Sequence, residues 1–231
     1  MYLYGKNVVK ELIKNNKEIQ KAYIYKNFSD KNLILDLKKR NIRIDYLEKN
    51  ELDKLANGLH QGIIVSVPNY KYSNLDNFIN EDNSLVVILD HLEDPHNFGA
   101  IIRTCEAAGV SGIIIPKNRS VEVNPTVAKV SVGALERVNI AQVTNLSQTI
   151  ELLKQNGFWI VGTDMQGTSY DEIDYSGKIA IVIGNEGNGM SRIVRKSCDF
   201  IATIPMIGEI NSLNASVSAG IVIYEAIKSR K

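Results

Sequence analysis

The sequence predicts an α/β protein: a larger carboxyl-terminal unit built on a buried parallel sheet, preceded by a smaller α/β unit. Three observations carry this. Residues 84–115 read as strand, loop, helix, strand: an apolar run (85–89), a polar loop (90–97), a helical segment (98–108) stopped by Gly109, and a second apolar run from Gly112. A continuous apolar run is what a strand covered on both faces needs, so this is a βαβ unit. Further strand-length apolar runs at 158–162, 178–183 and 200–204 each open into a polar or glycine-rich loop. Over the first 68 residues, short helical and strand patterns alternate, as in a small α/β domain.

Taken in order, residues 7–15 place Val8, Val9, Leu12 and Ile13 at helical spacing, with Lys6, Lys10 and Lys14 opposite. A short strand at 22–25 precedes a helix at 32–40, whose start signal is Ser29-Asp30. A strand at 42–47, a helix at 51–56 closed by Asn57-Gly58, and a β-branched strand at 62–67 ended by Pro68 complete the first unit. The polar stretch NYKYSNLDNFINEDN (69–83) reads as a linker with a short helix at 75–79. Tyr70 and Tyr72 offer faces for stacking on bases, and packing against a domain is the simpler reading. The expected division is 1–70, a linker at 71–82, and 83–231.

Beyond it, the loop after the strand at 85–89 is crowded with Asp90, His91, Glu93, Asp94, His96 and Asn97. Open α/β sheets bind ligands outside such carboxyl strand ends. Gly99 and Arg103 lie one turn apart, and the missing side chain at Gly99 is expected to leave space beside the guanidinium. A solvated charge explains a lone Arg. An Arg on a helix otherwise small and apolar, facing a polar loop, points instead to anion binding. An irregular loop from Pro116 leads to a helix from about Pro125, and an amphipathic helix follows at 147–156. The run from Thr163 to Gly167 is expected as a strand-end loop, as is Gly184-Asn185-Glu186-Gly187-Asn188-Gly189. The second is neither a dinucleotide fingerprint nor a phosphate loop. Its glycines are read as freeing backbone for a close ligand. After a helix at 191–198 and the last strand, residues 211–220 are almost all small, which suits tight helix packing or a closely approaching ligand.

The chain has 231 residues, 44% hydrophobic and 23% charged, an ordinary composition for a globular protein. No apolar run reaches transmembrane length, and the start lacks the apolar core of a signal peptide. Cys105 and Cys198 are expected as free thiols in a reducing cytoplasm, and no Cys/His cluster suggests a metal. The net charge of +1 hides an asymmetry: residues 1–68 carry 13 Lys/Arg against 8 Asp/Glu, and residues 69–231 carry 14 against 18. A basic small domain joined to a mildly acidic larger one points the first toward a polyanion.

The pattern Asp90-x-x-x-Asp94-Pro95-x-Asn97-x-Gly99-x-x-x-Arg103 resembles the first motif of the SpoU/TrmH-type RNA ribose methyltransferases, of the SPOUT superfamily. The loop 184–189, with Glu186, resembles the second motif, and the 205–220 stretch resembles the third. The first unit resembles the L30-like substrate-binding domain of one SpoU branch, with His60-Gln61-Gly62-Ile63 typical of that branch. The resemblance implies a deep trefoil knot, S-adenosylmethionine as methyl donor with no metal, and methylation of a ribose 2′-hydroxyl. It implies that Gly184, Ile204 and Leu213 hold the donor, with Thr163, Met206 and Asn214 nearby. Asn97, Arg103 and Glu186 would face the ribose and its phosphate. Arg119 and Lys129 are candidate phosphate contacts, for which a solvated loop is an equal explanation, and Ser212 is a candidate RNA contact. The expected substrate is a guanosine in large-subunit (23S) ribosomal RNA, and the expected assembly is a homodimer built on the C-terminal region, including Ile221, Ile223 and Ala226. Transfer RNA, another ribosomal nucleotide, or a non-catalytic RNA-binding role in ribosome assembly are the alternatives.

Overall fold

The computed structural model describes residues 1–56 and 59–230, and the chain divides into two units after Lys71. The first unit runs β1 (Tyr2–Tyr4), α1 (Lys6–Lys14), β2 (Lys21–Tyr25), α2 (Lys31–Lys39), β3 (Arg43–Leu47), α3 (Lys49–Leu55) and β4 (Ile63–Ser66). Its sheet has the order β1-β4-β2-β3; β2 and β3 are parallel, and β4 is antiparallel to both β1 and β2. Asp30 caps α2 by accepting from the Leu33 N–H at 3.1 Å, as its sequence position predicts. Glu51 caps α3 by accepting from the Glu48 N–H at 2.8 Å. Strand β1 is new: three residues are too few for periodicity to reveal, and it forms because β4 offers it an antiparallel edge. The helix stop expected at Asn57-Gly58 lies outside the described residues.

The second unit begins with the stretch expected as a linker. Ser73 N–H donates to the Ile140 carbonyl at 2.8 Å, the Val123 N–H donates to the Tyr72 hydroxyl at 3.1 Å, and Phe78 and Ile79 on α4 (Asp76–Ile79) are buried. From Tyr72 onward the chain is therefore packed onto this unit. The unit continues with β5 (Leu85–Leu89), α5 (Pro95–Ala108), β6 (Gly112–Pro116), α6 (Pro125–Val130), a 3-10 turn at Ala134–Glu136, β7 (Ile140–Val143), α7 (Leu146–Gln155), β8 (Phe158–Ser169), β9 (Lys178–Ile183), α8 (Arg192–Ser197), β10 (Phe200–Thr203) and α9 (Ala215–Lys228). All six strands are parallel, in the order β10-β8-β9-β5-β6-β7. Every residue of β5 and β6 is buried, which is why both read as continuous apolar runs. Val86, Ile88 and Val182 pack on one face with Ile150 and Leu153 of α7 and Val194 of α8. Helices α5 and α9 pack against each other, α9 also against β9.

Several expectations change. Helix α5 starts at Pro95, not 98: Asp94 caps it by accepting from the His96 N–H at 2.9 Å, and Pro95 sits in the first turn. Asn97 is therefore helical. Gly109 at φ 68° ends the helix, as expected. Helix α6 starts at Pro125 as expected and stops at Val130, since Val132 and Gly133 beyond it adopt positive φ. Residues 163–167 are not a terminal loop: β8 continues through them, and they leave its ladder with β10 between Gly162 (opposite Ile201) and Thr168 (opposite Ala202). Helix α9 starts at Ala215, so residues 211–214 precede it. Ile223 and Ala226 are fully buried inside the unit and are closed to a dimer contact, whereas Leu213, Val217 and Tyr224 are exposed. No helix among the described residues is long and apolar enough to cross a membrane.

Candidate active site

The chain builds β5, β6 and β7 outward in one direction, then returns to place β9 on the other side of β5. The direction of winding reverses between β5 and β9, and the crevice outside such a reversal is where α/β sheets bind ligands. The segments leaving β5 and β9, 90–94 and 184–191, border it. They are tied together from below. Asp90, only 1% exposed, donates its N–H to the Ile183 carbonyl at 2.8 Å. Its carboxylate accepts from the Ser191 N–H at 2.6 Å and lies 2.7 Å from His91 Nδ1. Asn185 Nδ2 donates to the His91 carbonyl at 2.8 Å. His91 holds φ 58°, a conformation that a non-glycine residue adopts only when its surroundings impose it.

Above this base, Asn97 and Glu186 meet. Asn97 is buried, and its Nδ2 donates to Glu186 Oε1 at 3.0 Å; the Asp94 N–H donates to the same oxygen at 3.3 Å. Two residues 89 apart in sequence thus share one contact, and the helix start at Pro95 is what aims Asn97 at it. Among the described residues Glu186 Oε2 has no hydrogen bond, so one carboxylate oxygen is held and the other is free to accept.

The loop 184–190 is organised by its own side chain. Asn185 Oδ1 accepts from the N–H groups of Gly187 (2.9 Å) and Asn188 (3.2 Å), and Asn185 and Gly189 exchange backbone hydrogen bonds. A Cβ on Gly184 would stand 2.4 Å from both the Gly189 carbonyl carbon and the Met190 nitrogen. The glycine is thus required by the loop's own backbone, which corrects the expectation that it makes room for a ligand. Gly99 is corrected in the same sense: a Cβ there would lie 2.6 Å from Val130 Cβ, so the glycine lets α6 pack on α5 and leaves no space beside Arg103.

Arg103 is exposed and forms no hydrogen bond or ion pair among the described residues. Six residues after Asn97, it points roughly 120° away around the helix, and no hydrogen bond or ion pair among the described residues joins it to Asn97 or Glu186. Thr163 Oγ1 donates to the Val182 carbonyl at 2.9 Å, which ties the start of the β8 excursion to β9. Ile204, Met206, Ser212 and Leu213 lie on the segment between β10 and α9, with Ile204 and Met206 incompletely buried and Ser212 and Leu213 exposed. Asn214 Oδ1 caps α9, accepting from the Ser216 N–H at 2.9 Å and hydroxyl at 2.6 Å. Arg119 is exposed at φ 54°; its neighbours Ser120 and Val121 both donate to the Leu92 carbonyl, at 3.1 and 2.7 Å, so this loop abuts the segment after β5. Lys129 is exposed on α6. Sequence reasoning missed Asn185 as the organiser of its loop and Asp90 as its anchor. An Asn opening a glycine loop and an Asp ending a buried strand were the available signals. Burial pushes the Cys105 thiol well up and the Cys198 thiol to about 12, so neither is a nucleophile here.

Residues 84–224 match the SpoU rRNA Methylase family, and residues 2–73 match a domain described as RNA 2′-O ribose methyltransferase substrate binding. YacO of Bacillus subtilis, named as a TrmH family tRNA/rRNA methyltransferase, is 41% identical, over 99% of this chain and 96% of its own. A Staphylococcus aureus protein named in the same way is 44% identical over 99% and 96%. The SpoU methyltransferase AviRb from Streptomyces viridochromogenes, solved with AdoMet, shares the fold at a TM-score of 0.77 and 24% identity, covering 99% of this chain and 89% of that one. A structure described as the A. aeolicus TrmH/SpoU tRNA modifying enzyme aligns at a TM-score of 0.60 and 33% identity, over 65% of this chain and 77% of that one. The matched regions reach from residue 2 to residue 224 and include the Asn97–Glu186 contact, and the chain belongs to the SpoU family of RNA methyltransferases.

Proposed function

We propose that the protein transfers a methyl group from S-adenosylmethionine to the ribose 2′-hydroxyl of a guanosine in large-subunit ribosomal RNA, as a homodimer whose catalytic unit carries a deep trefoil knot. The observation that carries the reading is the 3.0 Å contact between Asn97 and Glu186, which joins the first and second motifs at the reversal point of the sheet.

The residues at the neighbouring ends of β8, β9 and β10 suit the donor. Ile204, Met206 and Leu213 present incompletely buried apolar side chains of the kind an adenine face covers. When bound, the donor's sulfonium supplies an electrophilic methyl group. The chain's own residues align and deprotonate the acceptor. Asn97 and the Asp94 N–H fix Glu186 by one oxygen; the other accepts the proton of the ribose hydroxyl as the new C–O bond forms. Arg103 is always charged, so it serves as orienter and phosphate clamp and not as base. Arg119, Lys129 and Ser212, all exposed, offer polar groups to the RNA strand.

Ribosomal over transfer RNA is supported by layout: the tRNA-modifying structure aligns with 65% of this chain, while an rRNA methyltransferase from Sinorhizobium meliloti aligns with 98% of it at a TM-score of 0.77. Association through α9 is supported by the exposed Leu213, Val217 and Tyr224. The test is to incubate the protein and labelled donor with RNA from a strain lacking the gene and to map 2′-O-methylation. Label in transfer RNA alone, or none in any RNA, refutes the reading.

A further inference from the structure

The small unit contains a cavity of about 540 Å³, in the size range of small-ligand sites, roughly 300–1,000 Å³. All its walls come from one end of the sheet. Strands β1 and β2 end there, β4 begins there, and α3 starts there after β3. The lining brings together Phe28 and Tyr25, Lys6 and Lys49, Asn27 and Asp53. Lys6 Nζ lies 5.1 Å from the Phe28 ring centroid, so an ammonium stands over one aromatic face. Gly62, at φ 80°, brings its backbone against the Phe28 ring edge: a Cβ there would lie 3.0 Å from Phe28 Cδ2.

Asp53 is the one acidic residue in this lining, and it is held in place. His60 is buried; its Nδ1 accepts from the Gly62 N–H at 3.0 Å, which leaves Nε2 as the donor to Asp53 Oδ1 at 2.9 Å. Half of the Asp53 side chain is still exposed, and Oδ2 has no hydrogen bond among the described residues. A carboxylate repels phosphate, so its place beside two lysines and an aromatic ring selects for a base edge carrying donors. Guanine presents two adjacent donors, N1–H and N2–H, to one carboxylate.

We propose that this cavity takes an unpaired guanine base of RNA, stacked on Phe28, with its Watson–Crick edge on Asp53 and flanking phosphates on Lys6 and Lys49. The inference rests on the reading of the protein as an RNA methyltransferase only for the class of polymer. The site is separate from the residues assigned to methyl transfer.

The test uses the full chain and fluorescein-labelled seven-nucleotide RNAs, uridine runs with G, A, C or U at the centre, followed by anisotropy at fixed salt. The G oligonucleotide binds at least tenfold tighter than the other three. Asp53→Asn removes that preference and keeps the uridine-run affinity. Phe28→Leu, which retains an apolar side chain, weakens the G oligonucleotide at least tenfold, and thermal melting confirms that both variants fold. Equal affinity for all four, a preference for another base, or unchanged binding in Phe28→Leu overturns the proposal. Methyl-donor binding by calorimetry, measured on the same samples, reports on the enzyme reading independently.

Discussion

Replacing Gly184 by alanine separates two roles for that glycine. If it made space for a ligand, the ligand-free protein would tolerate the methyl group. The geometry says otherwise. The added carbon would stand 2.4 Å from two backbone atoms of its own loop. Carbon contacts settle at about 3.5–4.0 Å, so the 189–190 backbone must retreat by roughly 1 Å. That retreat breaks the paired Asn185–Gly189 bonds, now 2.9 and 3.0 Å. Two such bonds contribute about 2 kcal/mol, and overpacking adds about 1–3 kcal/mol; the expected loss is about 3–5 kcal/mol without any donor present. Trp159, the chain's one tryptophan, lies on β8 in the same unit and reports its unfolding alone. Urea unfolding followed by Trp159 fluorescence is the assay. An unchanged unfolding curve for ligand-free Gly184→Ala refutes the argument.

Arg103→Lys and Arg103→Ala are each expected to lose at least a hundredfold in single-turnover methylation, about 2.7 kcal/mol, with donor affinity unchanged; near-normal turnover in the Lys variant removes the alignment role. A chain beginning at Tyr72 is expected to bind the donor but methylate RNA poorly, and full activity on the natural RNA contradicts that division of labour. Light scattering is expected to give twice the 25.7 kDa chain mass, and a monomer at micromolar concentration rules out the α9 association. The Cys198 thiol is raised from 9.0 to about 12, so the folded state holds its proton where the unfolded chain releases it. Its contribution to stability is complete below pH 9 and lost as pH rises toward 12; Cys198→Ala is expected to flatten that alkaline decline, and identical slopes count against it.

What was legible in the sequence follows from where the information sits. Strands β5, β6 and β9 declare themselves because a parallel strand covered on both faces needs an unbroken apolar run. Gly109 announces the end of α5 through a conformation only its own backbone requires. The start of α5 was also written locally, in Asp94-Pro95, but a run of polar residues hid it. The later half of β8 was not legible, since Thr163 to Ser169 carries no apolar period, and only Thr168 and Ser169 at its end are held by pairing with β10. The reasons for Gly99 and Gly184 were not legible either. A glycine tells that something comes close; it does not tell whether that is Val130, Met190 or a ligand. The site divides likewise. The motifs named Asn97 and Glu186, and only the fold showed that they touch.

That touch has a thermodynamic consequence. Glu186 belongs to the loop that follows β9, Asn97 and Asp94 to the start of α5, and one carboxylate oxygen takes hydrogen bonds from both of the latter. Any ligand that displaces the 184–190 loop must lengthen bonds that position the α5 side, and any ligand that draws on Asn97 must loosen Glu186. Two occupants of the crevice therefore cannot be energetically independent. Whatever factor the first applies to the affinity of the second, the second applies to the first, and the sign of that coupling sets whether donor and RNA strengthen or weaken each other's binding.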